Sequence, residues 1–301
     1  MSSNAPVLHL FPIVLFVLFP IVMPIELPPG TAAAYSDRNE PTRNSQVLGI
    51  AGGFLGGILL LIWIINLLAN QLVWWIPPRV EKQLGTIAVP LFESQAEASP
   101  TQDTLNQLLD RLETKLPADT QAQRDYQVLY IPDSTVNALA IPGDRIIIYQ
   151  GLLDKMSSEN ELMMVLGHEL GHFAHRDHLR SLGRGILVQL VFASLFGDIG
   201  TLGSMAVSGI ETFTRSQYSQ AQESQADTFG LDLLVQTYGH AAGATDFFAD
   251  LSEEAGSNFD FLTTHPAPQK RVDRLNQLIE DKGYLILDPE PLPPTLHVNR
   301  Q

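Results

Sequence analysis

Residues 158–174 of the chain read SENELMMVLGHELGHFA, a sequence typical of a helix with a capped start and an apolar face. Ser158 and Glu161 form a capping box, in which hydroxyl and carboxylate accept hydrogen bonds from backbone N–H groups that the first turn leaves free. The residues expected on the apolar face recur at helical spacing: Leu162, Leu166, Leu170 and Phe173. We therefore predict a helix from residue 158 that packs one face against a core.

The same helix carries the pattern His-Glu-x-x-His from His168 to His172. Histidines four positions apart lie on one helix face, so both imidazoles can reach a single metal ion. Two nitrogens and a carboxylate suit Zn²⁺, which keeps a further position for water and lowers the pKa of that water. Glu169 is placed to accept the proton of this water and to pass it to a leaving amine. We predict one Zn²⁺ per chain. The alternative is that the His-Glu-x-x-His pattern occurs by chance on a surface helix.

A second helical stretch supplies the third ligand in this interpretation. Glu223 offers a carboxylate, and Asp227 lies one turn further on the same face, where it can accept a hydrogen bond from a ligating histidine. Without the histidine pair, both would be interpreted as solvated carboxylates. His178 is a competing third ligand at the metzincin spacing, but that spacing requires glycine where this chain has His175. We interpret His175 and His178 as exposed or helix-end histidines.

The stretch before this helix predicts a further helix and short strands. Ser99 and Pro100 precede leucines that recur at helical spacing up to Leu116. Runs rich in β-branched and aromatic residues at 126–131, 137–141 and 145–150 predict strands, with a turn at 142–144 between the last two. The expected fold class is α+β, mainly helical, with a small antiparallel sheet.

Two apolar stretches near the N-terminus are long enough to cross a bilayer. Residues 47–76 contain no charged residue, and we place a transmembrane helix at about 47–69. Residues 7–25 are also uncharged, although prolines would bend a helix there. The alternative for this first stretch is a cleaved signal peptide, since Ala32–Ala34 resemble a cleavage site, but no Lys or Arg precedes the apolar run. We predict residues 1–76 as a membrane anchor with two transmembrane helices.

Small residues on the second span would let another helix approach closely, so we expect that it can support an oligomer. They are Gly49, Gly52, Gly53, Gly56 and Gly57. A third apolar stretch, residues 185–196, is too short to span and predicts a core or membrane-dipping helix. Residues 286–301 form a proline-rich, irregular tail in this interpretation.

Composition excludes several classes of site and partner. The chain has 301 residues, a net charge of −15 and no cysteine. The absence of cysteine excludes thiolate zinc ligands, so a metal must be held by imidazole and carboxylate groups. The acidic balance argues against nucleic acid as a partner, because phosphates require Lys and Arg. Basic residues flank the second span almost equally, Arg38 and Arg43 before it and Arg79 and Lys82 after it, which leaves the sidedness open.

Residues 78–285 resemble the integral-membrane gluzincin metallopeptidases, a family that includes the bacterial protease HtpX, the CAAX prenyl proteases and the mitochondrial Oma-type protease. Four motifs carry the resemblance in order: Asn137–Gly143 (NALAIPG), His168–His172, Glu223 with Ala226 and Asp227, and Thr264-His265-Pro266 followed by Arg271. The resemblance implies a zincin-type metallopeptidase domain over residues 78–285, preceded by the membrane anchor. It also implies His168, His172 and Glu223 as zinc ligands, with Glu169 as the catalytic base and Asp227 as a supporting acid.

The resemblance extends to residues around the metal. It implies that Asn137, Ala140 and Ile141 line the cleft, where an extended substrate can pair with the strand backbone. It places His265 and Arg271 near the site, as candidates to stabilise the oxyanion. An alternative for His265 is a gate, in which a loop closes and a neutral imidazole takes the open zinc position. Gln220 and Gln225 depart from the residues frequent in the family and put a local salt bridge in doubt.

The expected function is a membrane-anchored, zinc-dependent metalloendopeptidase that acts on membrane-associated or misfolded proteins in quality control. Its expected partners are protein or peptide substrates and the lipid bilayer, and the expected location is a bacterial inner (plasma) membrane. Processing of prenylated substrates is disfavoured, because that branch needs a large chamber of many spans. The alternatives are a zinc-binding chaperone-like or regulatory membrane protein without proteolysis, which the intact Glu169 argues against, and a zinc hydrolase for a non-peptide substrate.

Overall fold

The computed structural model describes residues 44–72, 74, 78–181, 216–253 and 259–296. The chain divides into two compact units, residues 1–56 and 57–301. The first helix, α1 (Asn44–Leu72), crosses this division. Among the described residues, Gln46–Ile64 is the one helical stretch that by length and composition can cross a membrane. The predicted first span at 7–25 and the apolar stretch at 185–196 lie outside the described residues.

Helices and three strands follow α1 in the described part of the chain. They are α2 (Pro78–Glu93), α3 (Pro100–Glu113), α4 (Ala118–Gln123), β1 (Gln127–Ile131), β2 (Ala138–Ile141), β3 (Arg145–Tyr149), α5 (Gln150–Lys155), α6 (Glu159–Ala174), α7 (Gln220–Tyr238), α8 (Asp246–Glu253), α9 (Asp260–Thr264), α10 (Pro268–Lys282) and a short 3-10 helix (Pro294–Leu296). The expected mainly helical α+β class is confirmed.

Helix α3 forms where its start signals predict it. The Ser99 hydroxyl accepts a hydrogen bond from the Gln102 backbone N–H at 3.3 Å, and Pro100 takes the first helical position, where its missing N–H is not needed. Its leucines are buried in the main core: Leu105, Leu108, Leu109 and Leu112. The amphipathic helix predicted from their spacing is therefore confirmed.

The sheet is mixed, so the prediction of an antiparallel sheet is wrong for one strand pair. The strand order is β1-β3-β2, with β3 parallel to β1 and antiparallel to β2. Strands β2 and β3 form the expected hairpin through Gly143 and Asp144, which both have positive φ, 98° and 60°. Strand β3 therefore lies between β1 and β2, although β2 follows β1 in the chain. Residue patterns predict strands, but they do not specify which neighbours pair.

Both faces and the β1 edge of the sheet are covered. One face packs on α2 through a small cluster that includes Phe92 and Ile141, and the other face contributes to the main core. At the outer edge of β1, the Asn106 side-chain oxygen accepts from Val128 N–H at 2.8 Å, and the Gln102 side-chain oxygen accepts from Tyr130 N–H at 3.0 Å. Helix α3 thus provides acceptors for backbone N–H groups that the edge strand of an isolated sheet would leave unpaired.

Helices α6 and α7 pack at very short range because small residues face each other. A Cβ on Gly171 would lie 2.8 Å from the Ala226 Cα, and a Cβ on Gly230 would lie 2.8 Å from the His168 backbone nitrogen. Larger side chains at these positions would push the helices apart. This close approach places the start of α7 beside the histidines of α6.

The described part of the C-terminal tail, residues 286–296, is anchored to the fold. Ser158 and Pro291 form a β-bridge, and the Asn160 side-chain oxygen accepts from Glu290 N–H at 2.7 Å. Leu292 and Leu296 are buried in the main core. This segment therefore fixes the N-terminal end of α6.

Candidate metal centre

Helix α6 starts at the predicted cap. The Ser158 hydroxyl accepts from Glu161 N–H at 3.2 Å, while the Glu161 carboxylate accepts from the Ser158 hydroxyl at 3.0 Å and from Ser157 N–H at 3.1 Å. All residues from 160 to 173 are buried. The prediction of a single apolar face is therefore too narrow, because the main core covers one side of α6 and α7 covers the other.

The ligating atoms of four side chains converge beside α6. One nitrogen or oxygen from each of His168, His172, Glu223 and His265 lies within 4.8 Å of the others. The Nε2 atoms of His168 and His172 are 3.1 Å apart, and they lie 3.7 Å and 3.6 Å from the Glu223 carboxylate oxygens Oε2 and Oε1, respectively. His265 Nδ1 lies 3.1 Å from Glu223 Oε1. Thus the three predicted ligands come together, and His265 joins them.

The donor chemistry of this cluster fits a divalent cation. His168 Nδ1 lies 3.0 Å from Asp227 Oδ1, and His172 Nδ1 lies 3.0 Å from Asp177 Oδ2. With each ring proton on Nδ1, where a carboxylate accepts it, both Nε2 lone pairs face each other and the Glu223 carboxylate. Two facing lone pairs at 3.1 Å repel each other unless a proton or a metal cation lies between them, and imidazole nitrogen with carboxylate oxygen is a donor set that suits zinc.

Glu169 is completely buried at the border of this cluster. Its Oε1 lies 3.6 Å from His265 Nε2, and neither carboxylate oxygen makes a hydrogen bond of normal geometry within the described residues. Burial raises the pKa of Glu169 to about 7, although His172 and the Ala140 N–H act in the opposite direction. A buried carboxylate of this kind can exchange a proton near neutral pH.

Arg271, one of the candidates to stabilise the oxyanion, is engaged with carboxylates. Its Nε and Nη2 donate to the two oxygens of Asp227 at 3.0 Å and 2.6 Å, and Nη1 lies 2.9 Å from Glu223 Oε2. Burial alone would raise the pKa of Asp227, but the guanidinium and the His168 ring hold it well below its usual range. In this arrangement the Arg271 guanidinium contacts both Asp227 and the proposed third ligand, Glu223, and its role as an oxyanion donor stays a prediction.

The predicted substrate strand borders the site. The Asn137 side-chain oxygen accepts from Ala138 N–H at 2.9 Å at the outer edge of β2. The Ala140 N–H faces Glu169, and the Ala138 carbonyl faces His265. Ile141 is fully buried in the small cluster under α2. The outward backbone groups of β2 thus face the side chains expected to carry the chemistry.

Asp177 and Tyr218, which both contact the His172 ring, were not predicted from the sequence. Asp177 contacts the His172 ring as described above, and the Tyr218 ring stacks on the same imidazole with centroids 3.9 Å apart. Neither belongs to a periodic pattern or a recognised motif. His178 is not exposed, since it is buried against Phe173, but its Nδ1 lies 3.4 Å from the His172 carbonyl in the last turn of α6, which fits the helix-end interpretation. His175 does lie at the end of α6, with Nδ1 2.8 Å from the Gly171 carbonyl.

Two histidines four apart on a helix, a carboxylate from a second helix and a buried glutamate beside them define the site of a metallopeptidase. The comparison with known families agrees: the model described as Peptidase family M48 matches residues 99–279, more than half of the chain. The chain belongs to this family.

Individual proteases are also similar in sequence to the chain. The metalloprotease LoiP of Escherichia coli (strain K12) is 30% identical over 210 residues, which cover 67% of this chain and 81% of LoiP. The mitochondrial metalloendopeptidase OMA1 of Arabidopsis thaliana is 29% identical over 161 residues, 50% of this chain and 31% of OMA1. A putative beta-barrel assembly-enhancing protease of Vibrio cholerae is 27% identical over 182 residues, 56% of this chain and 38% of that protein. The chain therefore spans most of LoiP but well under half of the other two.

Proposed function

We propose that this chain is a membrane-anchored, zinc-dependent metalloendopeptidase that cleaves membrane-associated or misfolded proteins in protein quality control. The observation that carries the proposal is the convergence of His168, His172 and Glu223 beside the buried Glu169. The names of the relatives support the reaction, and the beta-barrel assembly-enhancing protease supports the quality-control setting. The apolar stretch of α1 supports an integral membrane protein, which we place in a bacterial inner membrane.

In this proposal His168, His172 and Glu223 hold one Zn²⁺. When bound, the ion supplies Lewis acidity, which makes water a stronger acid and polarises the scissile carbonyl. Asp227 and Asp177 accept hydrogen bonds from Nδ1 of His168 and His172, respectively, and so fix the orientation of the two imidazoles. Arg271 holds the Glu223 carboxylate in place.

Glu169 carries the proton through the reaction. It accepts a proton from the attacking water as the water oxygen bonds to the carbonyl carbon. It then gives this proton to the amide nitrogen as the carbon–nitrogen bond breaks, so that a carboxylic acid and an amine leave the site. Its raised pKa, about 7, suits both steps near neutral pH.

The substrate in this proposal is an extended segment of polypeptide. The substrate would take the place of Asn137, Glu169 and His265 as the partner of the outward N–H and C=O groups of β2, and such strand pairing recognises a backbone rather than a particular side chain. A misfolded or loosely anchored protein exposes such segments more readily than a folded one, which pairs or covers most of its extended strands. Asn137, Ala140 and Ile141 belong to this substrate-binding strand or flank it.

The variant Glu169→Gln tests the proposal, because it keeps the shape of the side chain and the ligand set but removes the proton acceptor. We expect one Zn²⁺ per chain and a loss of cleavage of a labelled unfolded protein by about a hundred- to ten-thousand-fold. Bound metal and cleavage are measured on the same detergent-solubilised preparation. Wild-type cleavage by a zinc-loaded Glu169→Gln protein would contradict the mechanism. A zinc-loaded wild type without any cleavage would instead favour the chaperone-like alternative.

A further inference from the structure

The carboxylate of Asp177 lies behind the His172 ring and was not predicted to belong to the metal centre. Asp177 is fully buried, and its Oδ2 accepts from His172 Nδ1 at 3.0 Å. Its other oxygen, Oδ1, accepts from Gln222 Nε2 at 2.8 Å and from Arg180 Nη1 at 2.9 Å. Both carboxylate oxygens of Asp177 therefore accept hydrogen bonds, which fixes the orientation of the side chain.

The backbone turns sharply to place Asp177 there. Helix α6 ends at Ala174, and Arg176 adopts a left-handed conformation with φ 57°. Residues with a Cβ rarely adopt this conformation, and such strained positions persist where the surrounding structure fixes them, often at functional sites. The Arg176 N–H donates to the Phe173 carbonyl at 3.0 Å, which closes the turn and returns the chain toward His172.

Gln222 connects Asp177 to the helix of the proposed third ligand. Its side-chain oxygen accepts from Ser219 N–H at 3.0 Å in the capping box of α7, so its amide group is oriented. The amide N–H₂ of Gln222 then donates to Asp177. Gln222 directly precedes Glu223 in the chain. A continuous chain of hydrogen bonds thus joins the start of α7 to the second histidine of α6.

We infer that Asp177 is a positioning residue of the metal centre, which holds His172 with its proton on Nδ1 and its Nε2 lone pair toward the metal. Each histidine ligand then has its own carboxylate, Asp227 for His168 and Asp177 for His172. Through Gln222, the orientation of His172 is tied to the start of α7 and hence to Glu223. The inference rests on the metal centre of the proposed function.

The variant Asp177→Asn tests this role in the full-length, detergent-solubilised chain. Loss of a carboxylate behind a ligating histidine typically weakens metal binding 10–100-fold, and we expect a weakening in this range for Zn²⁺. The dissociation constant is measured by competition with a chromophoric chelator. The control is Asp232→Asn on helix α7, where the carboxylate contacts Lys282 and Tyr284 and not a histidine. We expect the control to bind Zn²⁺ as the wild type does.

A second measurement starts from the wild type, so its main result does not depend on the folding of a variant. In the metal-free wild type, the nitrogen NMR signals of His172 should report the proton on Nδ1, and in Asp177→Asn this preference should be lost. A proton on Nε2 in the wild type, or wild-type zinc affinity in a folded Asp177→Asn protein, would overturn the inference. If the wild type binds no Zn²⁺, or His168→Ala and His172→Ala leave binding unchanged, the proposed metal centre itself fails.

Discussion

His265 lies among the proposed metal ligands rather than at their periphery. Its Nδ1 is 3.2 Å from His168 Nε2 and 3.1 Å from Glu223 Oε1, and its ring stacks on Phe261 with centroids 4.4 Å apart. The sequence predicts a loop around this residue, whereas the structure has the short helix α9 directly before it. The chain then turns at Ala267, which has a φ of 60°. This placement matches the gate hypothesis better than a role at the rim of the cleft.

We therefore predict that His265→Ala raises the basal cleavage of an unfolded protein several-fold and leaves Zn²⁺ bound. The imidazole lies among the proposed ligands, where it can take the open metal position, so its removal should free that position for water. Turnover and bound zinc are compared for wild type and variant. His240→Ala, a histidine outside the cluster, serves as the control. A variant that cleaves ten- to a thousand-fold more slowly would favour the oxyanion or substrate-contact role instead.

Glu223 is the residue on which the choice of third ligand depends. We predict that Glu223→Ala loses both stoichiometric Zn²⁺ and activity, because a carboxylate ligand is removed. It should also lower the free energy of unfolding by about 3 kcal/mol, since the buried Arg271 loses one of its two carboxylate partners. Metal analysis and denaturant unfolding of the purified chain check both effects. Full zinc content in this variant would direct attention back to His178.

Local sequence patterns predict the elements of this fold well, because caps and periodicity act within a few residues. The start of α3 at Ser99 and the cap of α6 at Ser158 are examples. The pairing of β3 with β1 and the burial of α6 on all sides depend on distant segments, and no local pattern encodes them. The same distinction holds in the site. A spacing of four predicts the histidine pair, whereas Asp177 and Tyr218 reach His172 through a turn and a separate loop.

The end of α3 carries a half-buried carboxyl group, Glu113. Glu113 Oε1 is buried and has no hydrogen-bond partner in the described part of the chain. Burial, followed by repulsion from Asp110, Asp125 and Asp144, raises the pKa of Glu113 to about 7. Between the normal pKa of glutamate and this value, the folded chain keeps a proton that the unfolded chain has released. The contribution of Glu113 to stability is therefore lost as the pH rises through this range.

We predict that Glu113→Gln stabilises the protein at pH 8 and has little effect at pH 4.5. The glutamine carries no charge at either pH, so the repulsion at high pH is removed. The group is half-buried, and solvent screening reduces the expected gain at pH 8 to about 1 kcal/mol. Denaturant unfolding at both pH values measures this change in the free energy of unfolding. The control is Glu253→Gln, at the exposed end of α8. A larger gain at pH 4.5 than at pH 8 would contradict the explanation.

At the scale of the whole molecule, α1 differs from every other described helix. Its large apolar side chains are widely exposed, among them Leu48, Ile50 and Phe54 at 71%, 73% and 69%. A stretch of 19 residues, Gln46–Ile64, has a length of about 28 Å as a helix, close to the apolar thickness of a bilayer. Lipid is the environment that would cover this surface. Association through its glycines remains a prediction.

The last prediction is that α1 crosses the bilayer, and the absence of natural cysteines makes it directly testable. Single cysteines are introduced as Ser45→Cys before the apolar stretch, Leu59→Cys within it and Lys82→Cys after it. If the helix spans, a membrane-impermeant maleimide added to sealed vesicles labels only one of the two flanking positions, and the central one resists labelling because lipid excludes the reagent. Detergent should make both flanking positions reactive. Labelling of both from one side would show that the helix lies on the surface. The labelled side also resolves the sidedness that the near-equal basic residues leave open.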